Sequence, residues 1–281
     1  MMKSLWVAIP DSVVDEQKSL REKTEKIGYI ARTCSIFGVD RIFVFSDPGL
    51  RFKKDRSLII STLRYLETPQ YLRKKLFPLT QELSYVGVLP PLKIPSHKEK
   101  KPVGEISEGE VREAILEEVK GKLYADVGLY ALIPFDGRGR RGQRVTVRIK
   151  GRFPNYFCSL VDKKELKEYW GYEVKEVGAL QKLLSSVNAD YVLLTSRYGS
   201  LINERWPKFV KKVRKGERVM IVMGPPKGGL LELLSKEWIE RHGYELVNMI
   251  PDQKVSTVRT EEALMITLAI TNLANKLTGL N

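Results

Sequence analysis

Apolar residues first cluster as a solid run, LWVAIP, and then recur at helical spacing between positions 17 and 37, at Leu20, Ile27, Ile30, Ala31, Cys34 and Phe37. The run predicts a buried strand and the spacing an amphipathic helix, which Gly38 stops with a left-handed turn. A second solid run, RIFVFSD, ends at Asp47, Pro48 and Gly49. Strand, helix, strand in such short order is a βαβ unit, so the first third is expected to be α/β with a parallel sheet. Positions 55–83 keep a helical pattern, with Leu58, Ile59, Leu63 and Leu66 on one side.

The texture then changes. GVLPPLKIPSHKEKKP is rich in proline and lysine and breaks both periodicities, which places a domain boundary there. From 103 to about 160 the chain alternates over short segments separated by glycines, the pattern of a small OB-like β-barrel. Beyond 164 the α/β pattern returns. A helix through LQKLLSSV leads to the strand DYVLLTSRYGS, then a basic helix between 200 and 218, then the strand RVMIVMG. The glycine-rich loop of Gly224, Pro225, Pro226, Lys227, Gly228 and Gly229 precedes a helix over LLELLSKEWIERHG, and NMIPDQKVSTVRTEEAL opens a long apolar final helix. The organisation expected is one α/β domain over 1–85 and 164–281, interrupted by a barrel over 86–163.

Charge adds a partner. Of the 281 residues, 48 are Lys or Arg and 34 Asp or Glu, a net charge of +14 that suits a polyanion. Much of it falls in the barrel, where Arg138, Arg140, Arg141, Arg144, Arg148, Lys150 and Arg152 lie close to Phe153, Tyr156 and Phe157. Arginines that grip phosphate beside aromatics that stack on bases fit single-stranded RNA, and a solvated basic hairpin with core aromatics is the alternative. The two cysteines, far apart, indicate neither a disulfide scaffold nor a zinc site and point to a reducing cytoplasm. No apolar run has the length of a signal peptide or a membrane span.

Several chemistries lack their residues. GRGRRG formally matches GxGxxG but leads into a strand, so it is no dinucleotide fingerprint, and the Gly224 loop lacks the order of a P-loop. His97 and His242 are expected to be structural or solvated, and no HExxH, GxSxG or acidic metal cluster appears. An enzyme built this way positions a reactive cofactor.

TSRYGS, MGPPKGGL and NMIPDQKVSTVRTEEAL, in that order, resemble the cofactor loops of the SPOUT class of RNA methyltransferases, and VRTEEALMITLA is the most specific piece. KIGYIARTCSIFGVDRIFVFSD and LETPQYLRKKLFP resemble its archaeal and eukaryotic branch that carries an OB-like insertion. The resemblance implies a SPOUT α/β-knot with a deep C-terminal trefoil knot, S-adenosylmethionine as cofactor, and a homodimer through the last helix. Its cofactor residues would be Thr195, Ser196, Arg197 and Gly199; Met223, Gly224, Pro225, Gly228 and Gly229; and Asn248, Ile250, Pro251, Val255, Ser256, Val258 and Thr260. Thr260 also reads as an N-cap for the final helix. Arg259 is the expected catalytic residue, with Arg32 and Arg197 behind it and Glu262 as a possible base. A methyltransferase acting on ribosomal RNA is the function implied, at a uridine base nitrogen or a ribose 2′-oxygen; a non-catalytic RNA-binding assembly factor is the alternative.

Overall fold

The structure is a computed structural model that describes residues 2–48 and 53–277. Its contacts divide the chain into two compact units, one of Met1–Leu66, Thr80–Pro91 and Tyr172–Asn281, the other of Glu67–Leu79 and Leu92–Gly171.

The first unit is built on a six-stranded, all-parallel sheet. Its strands are β1 (Ser4–Pro10), β2 (Arg41–Ser46), β8 (Glu173–Ala179), β9 (Tyr191–Leu201), β10 (Arg218–Val222) and β11 (Glu245–Asn248), in the spatial order β11-β9-β10-β1-β2-β8. Solid apolar sequence and central position coincide, because a parallel strand covered by helices on both faces has no solvent side. Thus β1, β2 and β10 are buried almost throughout, whereas β8 at one edge carries Glu173, Lys175 and Glu176 into solvent. Trp6, Ala8, Phe43, Phe45, Met220 and Val222 pack against α4 (Leu180–Ser186), α6 (Leu230–Leu233) and α7 (Lys236–Arg241) on one face. The alternate residues Val7, Ile9, Ile42, Val44, Val219 and Ile221, all fully buried, lie beneath α1 (Leu20–Ile36), α5 (Ile202–Lys215) and α8 (Thr260–Lys276), with α8 touching both α1 and α5.

Local signals set the helix ends. Ser19 accepts a hydrogen bond from the Glu22 amide at 3.2 Å, while the Glu22 carboxylate accepts from the Ser19 amide at 3.1 Å, a capping box that starts α1 three residues later than the apolar spacing implies. The helix expected over LLELLSKEWIERHG is two short ones, because the Ser235 hydroxyl accepts from the Trp238 amide at 3.2 Å and caps α7 afresh. Likewise the pattern over 55–83 resolves into α2 (Lys53–Glu67) and α3 (Gln70–Leu76), broken at Pro69.

The second unit is a closed barrel of β3 (Val111–Val119), β4 (Lys122–Asp126), β5 (Ile133–Asp136), β6 (Arg144–Lys150) and β7 (Phe157–Leu160), in the order β3-β4-β5-β7-β6. The β5–β7 pair is parallel and the others antiparallel. Ala114, Leu116, Ala125, Ile133, Phe135, Val145, Val147, Ile149 and Cys158 fill it. One outer flank is covered and charged. There the buried Glu113 carboxylate accepts from Arg144 Nε at 2.6 Å, Thr146 Oγ1 at 2.6 Å and Trp170 Nε1 at 2.8 Å, and Glu67 takes the remaining Arg144 nitrogens at 2.8 and 3.0 Å.

His97 belongs to the same flank. A carbonyl can only accept, so His97 Nε2–H donates to the Glu67 carbonyl at 2.9 Å, and burial pushes the imidazole below its ordinary 6.5. The folded ring stays neutral where the unfolded ring takes up a proton, so stability is complete above pH 6.5 and declines as pH falls below it. Thermal melts from pH 7.5 to 5 are expected to show this decline and to show less of it in His97→Gln.

Candidate functional site

The carboxyl ends of parallel strands gather the loops that precede helices, and here β9, β10 and β11 end side by side. Strand β9 is looped out at this edge. Leu194 lies opposite Leu246 and Ser200 opposite Val247, so residues 195–199 have no partner on β11 and bulge out of the sheet. Gly199 closes the bulge. A Cβ there would stand 2.6 Å from the carbonyl carbon and oxygen of Leu246 and from the Val247 nitrogen, so only glycine lets the two backbones approach.

The three expected loops are cross-linked at this place. Thr195 Oγ1 donates to the Val222 carbonyl at 2.9 Å and lies 3.6 Å from Met223 Sδ, tying the bulge to the end of β10. Asn248 Nδ2 donates to the Arg197 carbonyl at 3.1 Å, and the Asn248 Oδ1 accepts from the Ile250 amide at 2.9 Å. Arg197 reaches the Ser256 carbonyl at 2.8 Å, lies over the Tyr198 ring at 4.6 Å and donates to the Tyr198 hydroxyl. Its guanidinium therefore links the β9 bulge to the loop after β11. Ser196 accepts from the Tyr198 amide at 3.2 Å, and Gln253 holds the Val255 carbonyl at 3.0 Å. In the β10 loop, Gly228 and Gly229 have φ of 76° and 70°, and a Cβ on Gly224 would crowd the Leu230 amide at 3.0 Å. Pro225 is buried, Pro251 half-buried, and Val255 exposed. Lys227 leaves this loop to pair with Asp15 at 2.7 Å, and the Asp15 carboxylate raises its pKa.

Arg259 occupies a different setting. It is the N-cap of α8, its amide donating to the Glu262 carboxylate at 3.0 Å, so Thr260 is the first helical residue and not the cap. With Glu261 and Glu262 it lines a groove of about 720 Å³ whose other walls are Glu16, Gln17, Lys18, Glu22, Glu25, Lys26 and Tyr29. None of the glycine-loop residues lines it. Lys26, with its side chain 3% exposed, meets Glu261 as an ion pair at 2.9 Å without the angle of a hydrogen bond, joining α1 to the start of α8. Arg32 is exposed on α1, and Val258 is half-buried just before Arg259.

In the barrel, Arg138, Arg140, Arg141, Lys150 and Arg152 are exposed and Arg148 half-buried. Arg144 is set apart from them, its guanidinium held by Glu67 and Glu113. Tyr156 is not a surface ring: it is buried, and its hydroxyl donates to the Ile106 carbonyl at 2.7 Å because a buried phenol needs a partner. Phe153 and Phe157 are exposed, with Lys150 over Phe157 at 5.9 Å. Sequence reading missed Tyr130, 70% exposed with Lys100 over its ring at 4.8 Å, because an aromatic between Leu129 and Ala131 in the apolar run LYALI reads as strand core.

It also missed a buried polar cluster at the ends of β1 and β2. There Asp11 accepts from the Asp47 amide at 2.9 Å and from Arg56 at 2.7 and 3.0 Å, and the Ser12 hydroxyl donates to Asp47 at 2.7 Å. The signal available was an Asp-Ser pair directly after a solid apolar strand. Both histidines are structural, His242 bonding the Trp238 carbonyl at 2.8 Å and stacking on its ring at 4.0 Å. Among the described residues no group of three His, Cys, Asp or Glu side chains is placed to hold a metal, and no helix is long and apolar enough to cross a membrane.

The family model described as "Putative RNA methyltransferase" matches residues 4–271. The chain belongs to that family. An uncharacterized protein of Haloarcula marismortui is 33% identical to it, over 95% of this chain and 98% of that protein. The 28S rRNA (uridine-N(3))-methyltransferases of Homo sapiens and Drosophila melanogaster are each 30% identical over 95% of this chain, which covers 77% of the human and 61% of the fly protein. A Legionella pneumophila methyltransferase solved with bound SAM overlays with a TM-score of 0.42 at 12% identity, across 96% of this chain and 66% of that one, too low to define a shared fold.

Proposed function

We propose that this family member seats S-adenosylmethionine at the carboxyl ends of β9, β10 and β11 and transfers its methyl to uridine N3 of large-subunit ribosomal RNA. The observation that carries the reading is the cross-linking of three loops around a bulge that only glycine can close. The residues fit the cofactor. Gly229 faces open space, where an adenine could approach backbone amides and carbonyls, while Gly224 and Gly228 let the loop turn tightly against Leu230 and Glu232; Met223, Pro225, Ile250, Pro251, Val255 and Val258 would be apolar walls. Thr195, Ser196 and Gly199 would border its methionine end, and Asn248 and Ser256 tie the loops that would surround it.

When bound, the cofactor supplies an already activated methyl group, so the protein's task is alignment and charge. Uridine N3 must give up its proton to solvent, and until the N–CH3 bond forms the negative charge spreads onto the ring oxygens. Arg259 supplies a cation for that charge. Glu262 caps the helix through the Arg259 amide and so fixes where Arg259 starts. Arg197 acts through the loops it joins and is a positioning residue. Arg32 is a second cation for the nucleotide or its phosphate. Arg259→Ala is expected to lower transfer of labelled methyl to ribosomal RNA by about 10²-fold, with cofactor affinity within a few fold of wild type. Cofactor and RNA binding by the wild type with no transfer to any RNA would select the assembly-factor reading instead.

The same reading carries the SPOUT knot at the C-terminus and a homodimer through α8, whose outward side bears Ile266, Ala269, Ile270 and the 55% exposed Leu273. It carries an OB-like barrel, supported by the strand order and the parallel β5–β7 pair, that grips RNA through Arg138, Arg140, Arg141, Arg148, Lys150 and Arg152. Both cysteines are buried free thiols, which suits a reducing cytoplasm.

A further inference from the structure

Helix α5 carries six cations, Arg205, Lys208, Lys211, Lys212, Arg214 and Lys215, against one carboxylate, Glu204. Its apolar residues Ile202, Phe209, Val210 and Val213 are buried, so at about 100° per residue the cations occupy roughly the outer half of its circumference. Lys208 and Lys212 are accounted for by Glu245, at 2.5 and 3.1 Å. Arg205 has the neutral Ser200 hydroxyl at 3.3 Å. Among the described residues, Lys211, Arg214 and Lys215 have no carboxylate within ion-pair distance.

Dipole compensation explains part of this, since Lys212, Arg214 and Lys215 sit in the last turn, where cations are favourable. It does not explain Arg205 in the first half of the helix. Nor does it explain Lys211, which precedes the last turn and lies four residues from Lys215, a like charge that weakens an exposed helix. The exposed face of α1 shows the contrasting solution, with Arg21 paired to Glu25 at 2.9 Å. Uncompensated charge kept at a cost to the helix indicates an anionic partner.

We propose that this face of α5 binds the phosphate backbone of the RNA substrate, as a surface of the sheet unit additional to the barrel's arginines. The inference rests on the RNA methyltransferase reading. The chemistry is phosphate alone: Trp206 is half-buried and lies 6.0 Å from Phe209, which leaves no exposed ring to stack on a base and no apolar anchor for a lipid surface. From Arg205 to Lys215 the helix rises about 15 Å, enough to meet several nucleotides of a strand that advances about 3.4 Å each.

The test is a titration of full-length protein with a labelled fragment of large-subunit ribosomal RNA at several salt concentrations. It compares the wild type with K211Q/R214Q/K215Q, and with the barrel variant R138Q/R140Q/R141Q. Glutamine keeps the helix propensity of lysine and arginine. The α5 variant is expected to bind about tenfold more weakly near physiological salt, and its slope of log affinity against log salt to fall by about 2. Cofactor affinity stays unchanged and the thermal midpoint stays equal or rises, because repulsion within the helix is relieved. K211E/K215E weakens binding further. Unchanged affinity and slope in the α5 variants, while the barrel variant weakens, would overturn the α5 surface and leave the RNA reading standing. A wild type that binds no RNA would overturn both.

Discussion

Replacing Glu113 with alanine is expected to unfold the barrel unit. The carboxylate is 1% exposed and receives Arg144, Thr146 and Trp170, with the Lys163 ammonium 3.4 Å away. Removing it leaves the Arg144 guanidinium half-paired and two buried donors without acceptors. Breaking a buried pair from one side costs about 3–5 kcal/mol, a large part of what a small domain has. Hydrogen exchange of the β3 and β6 amides measures it directly.

Glu113→Gln separates geometry from charge. The amide oxygen still accepts from Thr146 and Trp170, so the loss is smaller. Burial works to raise the Glu113 pKa, but the charges of Arg144 and Lys163 and the hydrogen bonds from Thr146 and Arg144 outweigh it, so it lies below the ordinary 4.5. A lowered carboxyl contributes stability that is present above pH 4.5 and lost as pH falls through the folded value. The glutamine variant is expected to lose less stability in that window than wild type does.

Gly199→Ala is expected to have the largest effect on the proposed cofactor site. The added methyl would meet the Leu246 carbonyl and the Val247 nitrogen at 2.6 Å, both backbone of β11, and neither can swing aside. The 195–199 bulge must shift, and with it Thr195 and Arg197, which hold the other two loops. A misplacement of about 1 Å at a reaction site costs up to about 10²-fold in rate. Transfer of labelled methyl is expected to fall by about 10²-fold, and calorimetry is expected to show weakened cofactor binding. Gly178→Ala is the control. Its Cβ enters open space on the edge strand β8, so affinity and melting temperature stay at wild-type values.

These two sites differ in how far the sequence announces them. The solid apolar runs of β1, β2 and β10 identify central parallel strands, since burial on both faces leaves no polar alternation. The TSRYGS and MGPPKGGL segments lie at the carboxyl ends of β9 and β10, and VRTEEAL leads into α8. The bulge in β9 is not legible, because it exists only against the register of β11, a strand some fifty residues away in sequence. For the same reason the tie from Arg197 to Ser256 cannot be read from either segment alone. Arg144 shows the converse limit. It looks like its six basic neighbours in sequence, and only the carboxylates of Glu67 and Glu113 make it part of the frame. Tyr156 and Phe157 are adjacent, yet strand alternation at the start of β7 sends one inward and leaves the other exposed.

Arg259 sits where a helix start and a charged groove meet, and Lys26 fixes that start from α1 through Glu261. The functional reading therefore depends on two settings in one unit: loops that hold a cofactor, and a cation at the head of α8.

The most direct measurement is nucleoside analysis of ribosomal RNA lacking the modification, after incubation with the purified protein and isotopically labelled S-adenosylmethionine. The expected product is labelled 3-methyluridine at a single position of the large-subunit RNA, absent when Arg259→Ala replaces the wild type. Label in another nucleoside or on a ribose 2′-oxygen would contradict the assigned acceptor, and no label in any RNA, with no cofactor bound at millimolar concentration, would contradict the account as a whole.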